Sequence, residues 1–336
     1  MRILPLALTA VMFASLASFS WAADPWVAYP GGEGPGAGKH IVLVSGDDEY
    51  RSEEMLPALG MILSERHGFK CTVLFPIDPK SGEIAPTYQT NIPGAGTLAD
   101  ADLMILFTRF RNLPAEQMEP VLDYLKSGKP IIALRTATHA FNFPKDSPYA
   151  KYSWNNGGEF AGGFGRQILG ETWVSHHGHH GSESTRGVIN PELKDHPILR
   201  GVSDIWGPTD VYGIKKLPET AEVLVRGQIL TGMQPTDPPV EDKRNDPMMP
   251  IIWLNKYTNE NGAVTPSLTS TFGSAVDFKC EDYRRLLVNA SYYFTGLTDK
   301  IDGKANVEFV GDYEPTFFGF GKAKTGTTPA NYELKK

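Results

Sequence analysis

The sequence is poor in cysteine, in contiguous positive charge and in long apolar runs. Its two cysteines, Cys71 and Cys280, stand far apart in a chain of 336 residues. No framework of closely spaced disulfides is therefore available, and a hydrophobic core must hold the fold. Cys71 opens an apolar run that reads as a strand, and Cys280 precedes the last helix. A parallel sheet would put them at opposite ends, so two free, buried thiols are expected. Lys and Arg never run longer than two, and 32 of them face 39 acidic residues for a formal charge of −7. This balance argues against a nucleic-acid backbone or an anionic membrane surface as the main partner. Small-molecule or neutral polymer ligands remain. Charged residues are only 21% and hydrophobic ones 41%, which fits a folded chain with a large core.

The N-terminus is read separately. Arg2, the apolar run Ile3 to Leu16 and the small residues of Ser20-Trp21-Ala22 have the three-part form of a secretory signal. Residues 1–22 are expected to be removed, leaving a Gly/Pro-rich linker over 23–38 and a secreted or periplasmic protein. The run is shorter than the ~20 residues of a membrane span, and no later segment reaches that length. A retained anchor is the alternative.

The rest alternates strands and helices. His40 to Gly46 is a β-branched run closed by glycine and acid. Met55, Leu59, Ile62 and Leu63 follow at helical spacing, with Ser52 as cap and Gly68 just past the end. Cys71 to Phe75, Leu103 to Phe107 and Ile131 to Leu134 are further buried strands. A helix from Pro114 to Gly128 lies between the last two, and Pro120 inside it predicts a kink or a later start. This order predicts an α/β fold: a doubly wound, mostly parallel sheet with helices on both faces. The second half is less regular, with strands expected at Ala221 to Val225, Pro250 to Leu254 and Leu268 to Phe272, and a closing helix around Tyr283 to Ala290. Pro235 to Pro250 reads as a long ordered loop or lid. A C-terminal extension over 299–336 is expected to fray in part, with Phe317, Phe318 and Phe320 able to pin its start.

Ligands of open parallel sheets sit beyond the carboxyl ends of the strands. The residues there are polar: Asp47, Asp48, Glu49 and Tyr50 after the first strand, Arg109 and Arg111 after the third, Arg135 to His139 after the fourth. The densest polar stretch, Ser175 to His180, holds His176, His177, His179 and His180, four of eight histidines. These four are candidate ligands for a divalent metal such as zinc, although neighbours on a strand point to opposite faces, so at most two reach one ion unless Gly178 turns the chain. The competing reading is a hydrogen-bonded histidine loop lining a polar cleft. Histidine beside a carboxylate also carries protons near neutral pH. Asp210 and Tyr212 would share one face of a strand, and Trp154 and Trp206 offer flat surfaces for a sugar ring.

Four phrases taken together carry a resemblance: Gly128-Lys129-Pro130-Ile131-Ile132-Ala133-Leu134-Arg135-Thr136-Ala137-Thr138-His139; Asp195-His196-Pro197-Ile198-Leu199-Arg200-Gly201; Thr209-Asp210-Val211-Tyr212; and Asp277-Phe278 ahead of Arg284-Arg285-Leu286. Over residues 39–298 the chain resembles the ThuA-like (trehalose utilisation) family, which implies a class I glutamine amidotransferase-like fold and a part in carbohydrate metabolism. Glutamine hydrolysis itself is not expected. It needs a cysteine at the strand-to-helix elbow, where this chain has Arg135-Thr136-Ala137, and the Gly-His usual after the late strand is Gly273-Ser274 here.

The combined expectation is a secreted enzyme acting on a disaccharide or keto-sugar, either a hydrolase or an isomerase. His139, His176, His177 and Asp210 would supply acid–base chemistry, while Asp47, Glu49, Tyr50, Arg109, Arg111, Arg135, Trp206 and Tyr212 bind the small carbohydrate. The alternatives are a non-catalytic sugar-binding or scaffold protein, to which Ser274 points, and a metal-dependent hydrolase built on the histidine cluster.

Overall fold

A computed structural model describes residues 24–335; the expected signal segment lies outside them. The sheet grows from strands with no polar face. β2 (His40–Gly46) is buried along its whole length: Ile41 and Leu43 enter one core cluster, Val42 and Val44 the other. A strand buried on both sides reads as a continuous apolar run, and each such side chain contributes roughly 1.5–3 kcal/mol. β4 (Leu103–Thr108) and β5 (Ile131–Leu134) follow the same logic. α1 (Ser52–Glu65) and α3 (Glu281–Phe294) pack on the Ile41 side and α2 (Ala115–Lys126) on the Val42 side. The helices thus cover both faces. α2 begins at Ala115 and runs through Pro120 rather than starting after it.

Among the described residues ten strands form one sheet, ordered β1-β3-β2-β4-β5-β10-β9-β8-β6-β7. β3 (Lys70–Leu74), β2, β4, β5 and β10 (Val264–Ser270) run parallel at its centre. β1 (Trp26–Tyr29) adds antiparallel to one edge. On the other side β9 (Met249–Thr258), β8 (Glu222–Ile229), β6 (Thr185–Ile189) and β7 (Ile205–Gly207) add antiparallel. The chain leaves β2 towards β3 and then returns to β4 on its other side. This reversal opens a crevice at the carboxyl ends of β2 and β4.

Several local expectations change. Ser52 is the first residue of α1 and does not cap it; Arg51 precedes it in the left-handed region (φ 63°). The Ser52 hydroxyl instead accepts the N–H groups of Gly46 and Asp47 and pairs with Ser45 Oγ, so it ties down the end of β2. Asp210 and Tyr212 lie in an irregular segment after β7, outside any named strand. The Pro235–Pro250 loop is fastened by Asn245, whose amide bonds Ile229 and Val240. Both cysteines are free; Cys71 is buried, but Cys280, at the start of α3, is only half-buried because it sits at the sheet margin. The described residues after 299 form no strand, yet Phe318 is buried and Tyr332 stacks on Phe75.

Candidate active site

The loop leaving β2 is shaped by a buried carboxylate. Asp47 Oδ1 accepts the N–H groups of Glu49 and Tyr50, and Oδ2 accepts the Thr136 hydroxyl at 2.7 Å. Burial raises the Asp47 pKa, against the pull of these donors. The loop is thereby coupled to the turn after β5. There Arg135 takes a left-handed backbone (φ 44°), a conformation that costs a non-glycine residue about 1–2 kcal/mol. It holds because both terminal nitrogens of the fully buried guanidinium are bonded, although Nε has no partner among the described residues. Nη1 donates to the carbonyls of Asp210 (2.8 Å) and Thr271 (2.5 Å), and Nη2 to Asp210 Oδ1 (2.8 Å) and Tyr50 Oη (3.2 Å). The Tyr212 ring lies 3.7 Å and the Tyr50 ring 4.5 Å from its Cζ.

Asp210 is the centre of the arrangement. Its Oδ2 meets His176 Nδ1 at 2.7 Å, and its Oδ1 meets His180 Nδ1 at 2.9 Å as well as Arg135. Burial alone would raise its pKa. The Arg135 charge and the two imidazole bonds overcome that and hold the carboxyl well below the usual range. His180 Nε2 lies 3.3 Å from Glu49 Oε1. Bonds to Asp210 and then Glu49 push the His180 pKa up to about 9, so this ring is an imidazolium at neutral pH. Arg135, Asp210, His180 and Glu49 thus form a row of alternating charge. His176 branches from the row with Nδ1 spent on Asp210 and its ring partly exposed.

Two of the four clustered histidines converge, and a turn decides which. His176 bridges Tyr212, and the N–H groups of His177 and Gly178 both bond to the Val211 carbonyl, so the chain folds back and brings His180 to the same carboxylate as His176. His177 points away, with Nε2 on the Arg244 carbonyl at 2.9 Å. His179 is exposed and pairs with Glu183. His139 lies beneath the cluster, in contact with the rings of Phe110, Trp173 and Tyr212. Burial, then the Arg109 and Arg135 charges, holds its pKa well below the ordinary value, so it is neutral. Arg109 pairs with Asp48 at 3.0 Å at the rim. Arg111 is buried and donates to the carbonyls of Arg109, Tyr88 and Pro86, away from the cluster. Trp206 lies in β7 at the far edge of the sheet, its indole N–H on Ser184. Ser274 and Asp277 form scaffold: Asp277 accepts from Thr209 and from the Ser274 N–H, which fixes the approach to Asp210.

Of the aromatic rim, sequence reasoning named Trp154 as a sugar surface and missed the parts played by Trp173 and Phe110. Successive ring contacts run from Phe318 to His180 (5.4 Å), His180 to His176 (4.8 Å), His176 to Trp173 (5.9 Å), Trp173 to Trp154 (5.8 Å) and Trp154 to Phe110 (5.6 Å). Arg109 then lies over both Phe110 and Phe320. The signal for Trp173 was its place three residues before His176; Phe318 reads in the sequence only as a pin for the C-terminal extension. Two clefts elsewhere, of about 390 Å³ between α1 and the C-terminal segment and about 400 Å³ beside α2, contain none of these residues.

His176, His180 and Asp210 each offer one ligand atom within 4.8 Å of the others, a set able to hold a divalent cation. Glu49 on the second nitrogen of His180 is the outer partner that such a ligand ordinarily has.

No protein-family model and no curated protein matches the chain. Among solved structures it is similar to a protein of Parabacteroides merdae provisionally named ThuA-like, at 13% identity and TM-score 0.47, over 88% of this chain and 99% of that one. It is also similar to a protein of Bacteroides uniformis given the same provisional name, at 14% identity and TM-score 0.47, over 79% and 95%.

Proposed function

We propose that the protein is an exported enzyme acting on a disaccharide or keto-sugar by acid–base chemistry, with His176 as the proton carrier. The observation that supports this reading is the division of labour on Asp210. One carboxylate oxygen is saturated by Arg135 and the His180 imidazolium. The other orients His176 through Nδ1, which fixes the tautomer and leaves Nε2 free to take or give a proton. His180, hydrogen-bonded through Nδ1 to Asp210 and ion-paired through Nε2 with Glu49, is a fixed positive charge able to stabilise a developing oxyanion. Neutral His139 and Tyr212 floor the site. The cations Arg109, Arg135 and His180 each have a carboxylate partner, so the face carries little net charge and suits a neutral polyol better than an anion. The half-buried rings of Phe110, Trp154 and Trp173 offer surfaces for sugar stacking. With Arg135 locked at the elbow, the position of an acyl nucleophile is filled by a buried cation.

The test is product detection with a panel of disaccharides and their keto derivatives, using protein whose intact mass begins at Ala23 if export removes residues 1–22. Binding without turnover would favour a sugar-binding protein. The spacing of His176, His180 and Asp210 favours a second reading, a metal-dependent hydrolase. Metal analysis of untagged protein, with activity measured before and after chelation, separates the two: activity unchanged in metal-free protein supports the His176 reading, and activity restored only by a divalent cation supports the second.

A further inference from the structure

The C-terminal segment around Phe317–Phe320 reaches the site from more than a hundred residues away and is anchored there by buried groups. The Gly319 N–H donates to the Glu49 carbonyl at 2.8 Å, and its carbonyl accepts from Arg51 Nη2 at 2.9 Å. Arg51 is fully buried, and the same guanidinium also binds the carbonyls of Asp48 and Glu49. The loop that carries Glu49, the partner of His180, and the loop that carries Phe318 are therefore one unit. Gly319 has a φ of 136°, outside the range that side-chain-bearing residues favour, and this reverses the chain between two phenylalanines with opposite fates. Phe318 is 3% exposed, packed on Tyr50 (5.5 Å) and His180 (5.4 Å). Phe320 is 58% exposed. It is not tucked into the core but stands beside Arg109, whose Cζ lies 4.9 Å from its ring and 4.5 Å from that of Phe110.

We propose that the C-terminal segment is a functional wall of the site, in which Phe320 with Arg109 forms the surface against which one neutral sugar ring of the ligand lies. The proposal rests on the carbohydrate reading above and adds a specificity-determining residue to it. The occupant is uncharged because the guanidinium at this wall is already paired with Asp48. It is a hydroxylated ring because the wall offers an aromatic face beside guanidinium N–H donors, which match a sugar's C–H face and its hydroxyl edge. Phe320 continues the row of Phe110, Trp154 and Trp173, so a ligand of more than one ring touches both the core loops and the extension.

The experiment is a tryptophan-fluorescence and calorimetric titration with trehalose, and with glucose as the one-ring probe, on wild-type protein, Phe320→Ala, Phe320→Trp and Trp154→Ala. Because Phe320 is exposed, neither of its variants should shift the melting temperature appreciably. The expected result is that Phe320→Ala weakens trehalose binding about tenfold, leaves glucose binding nearly unchanged, and is rescued by Phe320→Trp. Wild-type trehalose affinity in Phe320→Ala, with binding lost in Trp154→Ala, would overturn the wall while leaving the carbohydrate reading standing. Failure of the wild-type protein to bind either sugar would overturn the wall as proposed, while the panel of disaccharides and keto derivatives decides the carbohydrate reading separately.

Discussion

Asp210 organises the site through a single buried carboxylate, and what its removal should do follows from its neighbours. In Asp210→Asn the guanidinium of Arg135 keeps its carbonyl acceptors but loses its counter-charge in a fully buried setting. The expected cost is about 3–5 kcal/mol in denaturant unfolding, the usual penalty for orphaning one member of a buried pair. His176→Ala should behave oppositely, since the ring is partly exposed: unfolding within about 0.5 kcal/mol of wild type, with turnover lost. Much of this site was legible in the sequence. Arg135, Glu49 and Tyr50 follow apolar strands, and the histidine run was dense enough to attract notice. The run did not reveal which of its members converge, because that depends on the turn in which His177 and Gly178 share the Val211 carbonyl. Arg111 and Trp206 fitted the sequence pattern equally well but spend their polar atoms elsewhere, on carbonyls and on Ser184.

Among the elements, the β2 to β5 layer could be read directly because strands buried on both faces leave continuous apolar runs. In the half built from β6 to β9, the expected runs found parts of β8 and β9 but neither β6 nor β7. Those strands pair antiparallel near an edge, and their burial is mixed, so no clean period appears. The expected strand through Asp210 fails for a definite reason: its backbone groups are claimed by side chains, with the Asp210 carbonyl on Arg135 and the Thr209 N–H on Asp277. Ser52 shows the same principle at the other end of the crevice. In Ser52→Ala the N–H groups of Gly46 and Asp47 lose their acceptor in a buried place. A destabilisation of about 1–3 kcal/mol is expected by chemical unfolding, with a larger relative loss of ligand response because the loop carrying Glu49 is released.

For the whole molecule, two histidines of the site make opposite contributions to stability as pH changes. His180 has its pKa raised to about 9 by Asp210 and Glu49, with Tyr50, Phe318 and His176 as its other neighbours. Its contribution is complete below its ordinary value of 6.5 and disappears as pH rises through about 9. His139 is held neutral by burial and nearby cations. The unfolded chain takes up a proton there below about 6.5 while the folded one does not, so stability falls on acidification. In thermal melts across pH, Glu49→Gln should move the alkaline fall that His180 contributes to lower pH. The long reach of the C-terminal segment to Glu49 and His180 is the part of the molecule least visible beforehand, because a contact between residues near 50 and near 319 leaves no local pattern. The central claim is that His176, oriented by Asp210, carries the proton in a reaction on a sugar. Its most direct test is turnover of the disaccharide and keto-disaccharide panel by wild type and His176→Ala, read by mass spectrometry of the products. The account predicts turnover of at least one member by wild type and a loss of about 10²- to 10⁴-fold in His176→Ala. Undiminished turnover in that variant would contradict it.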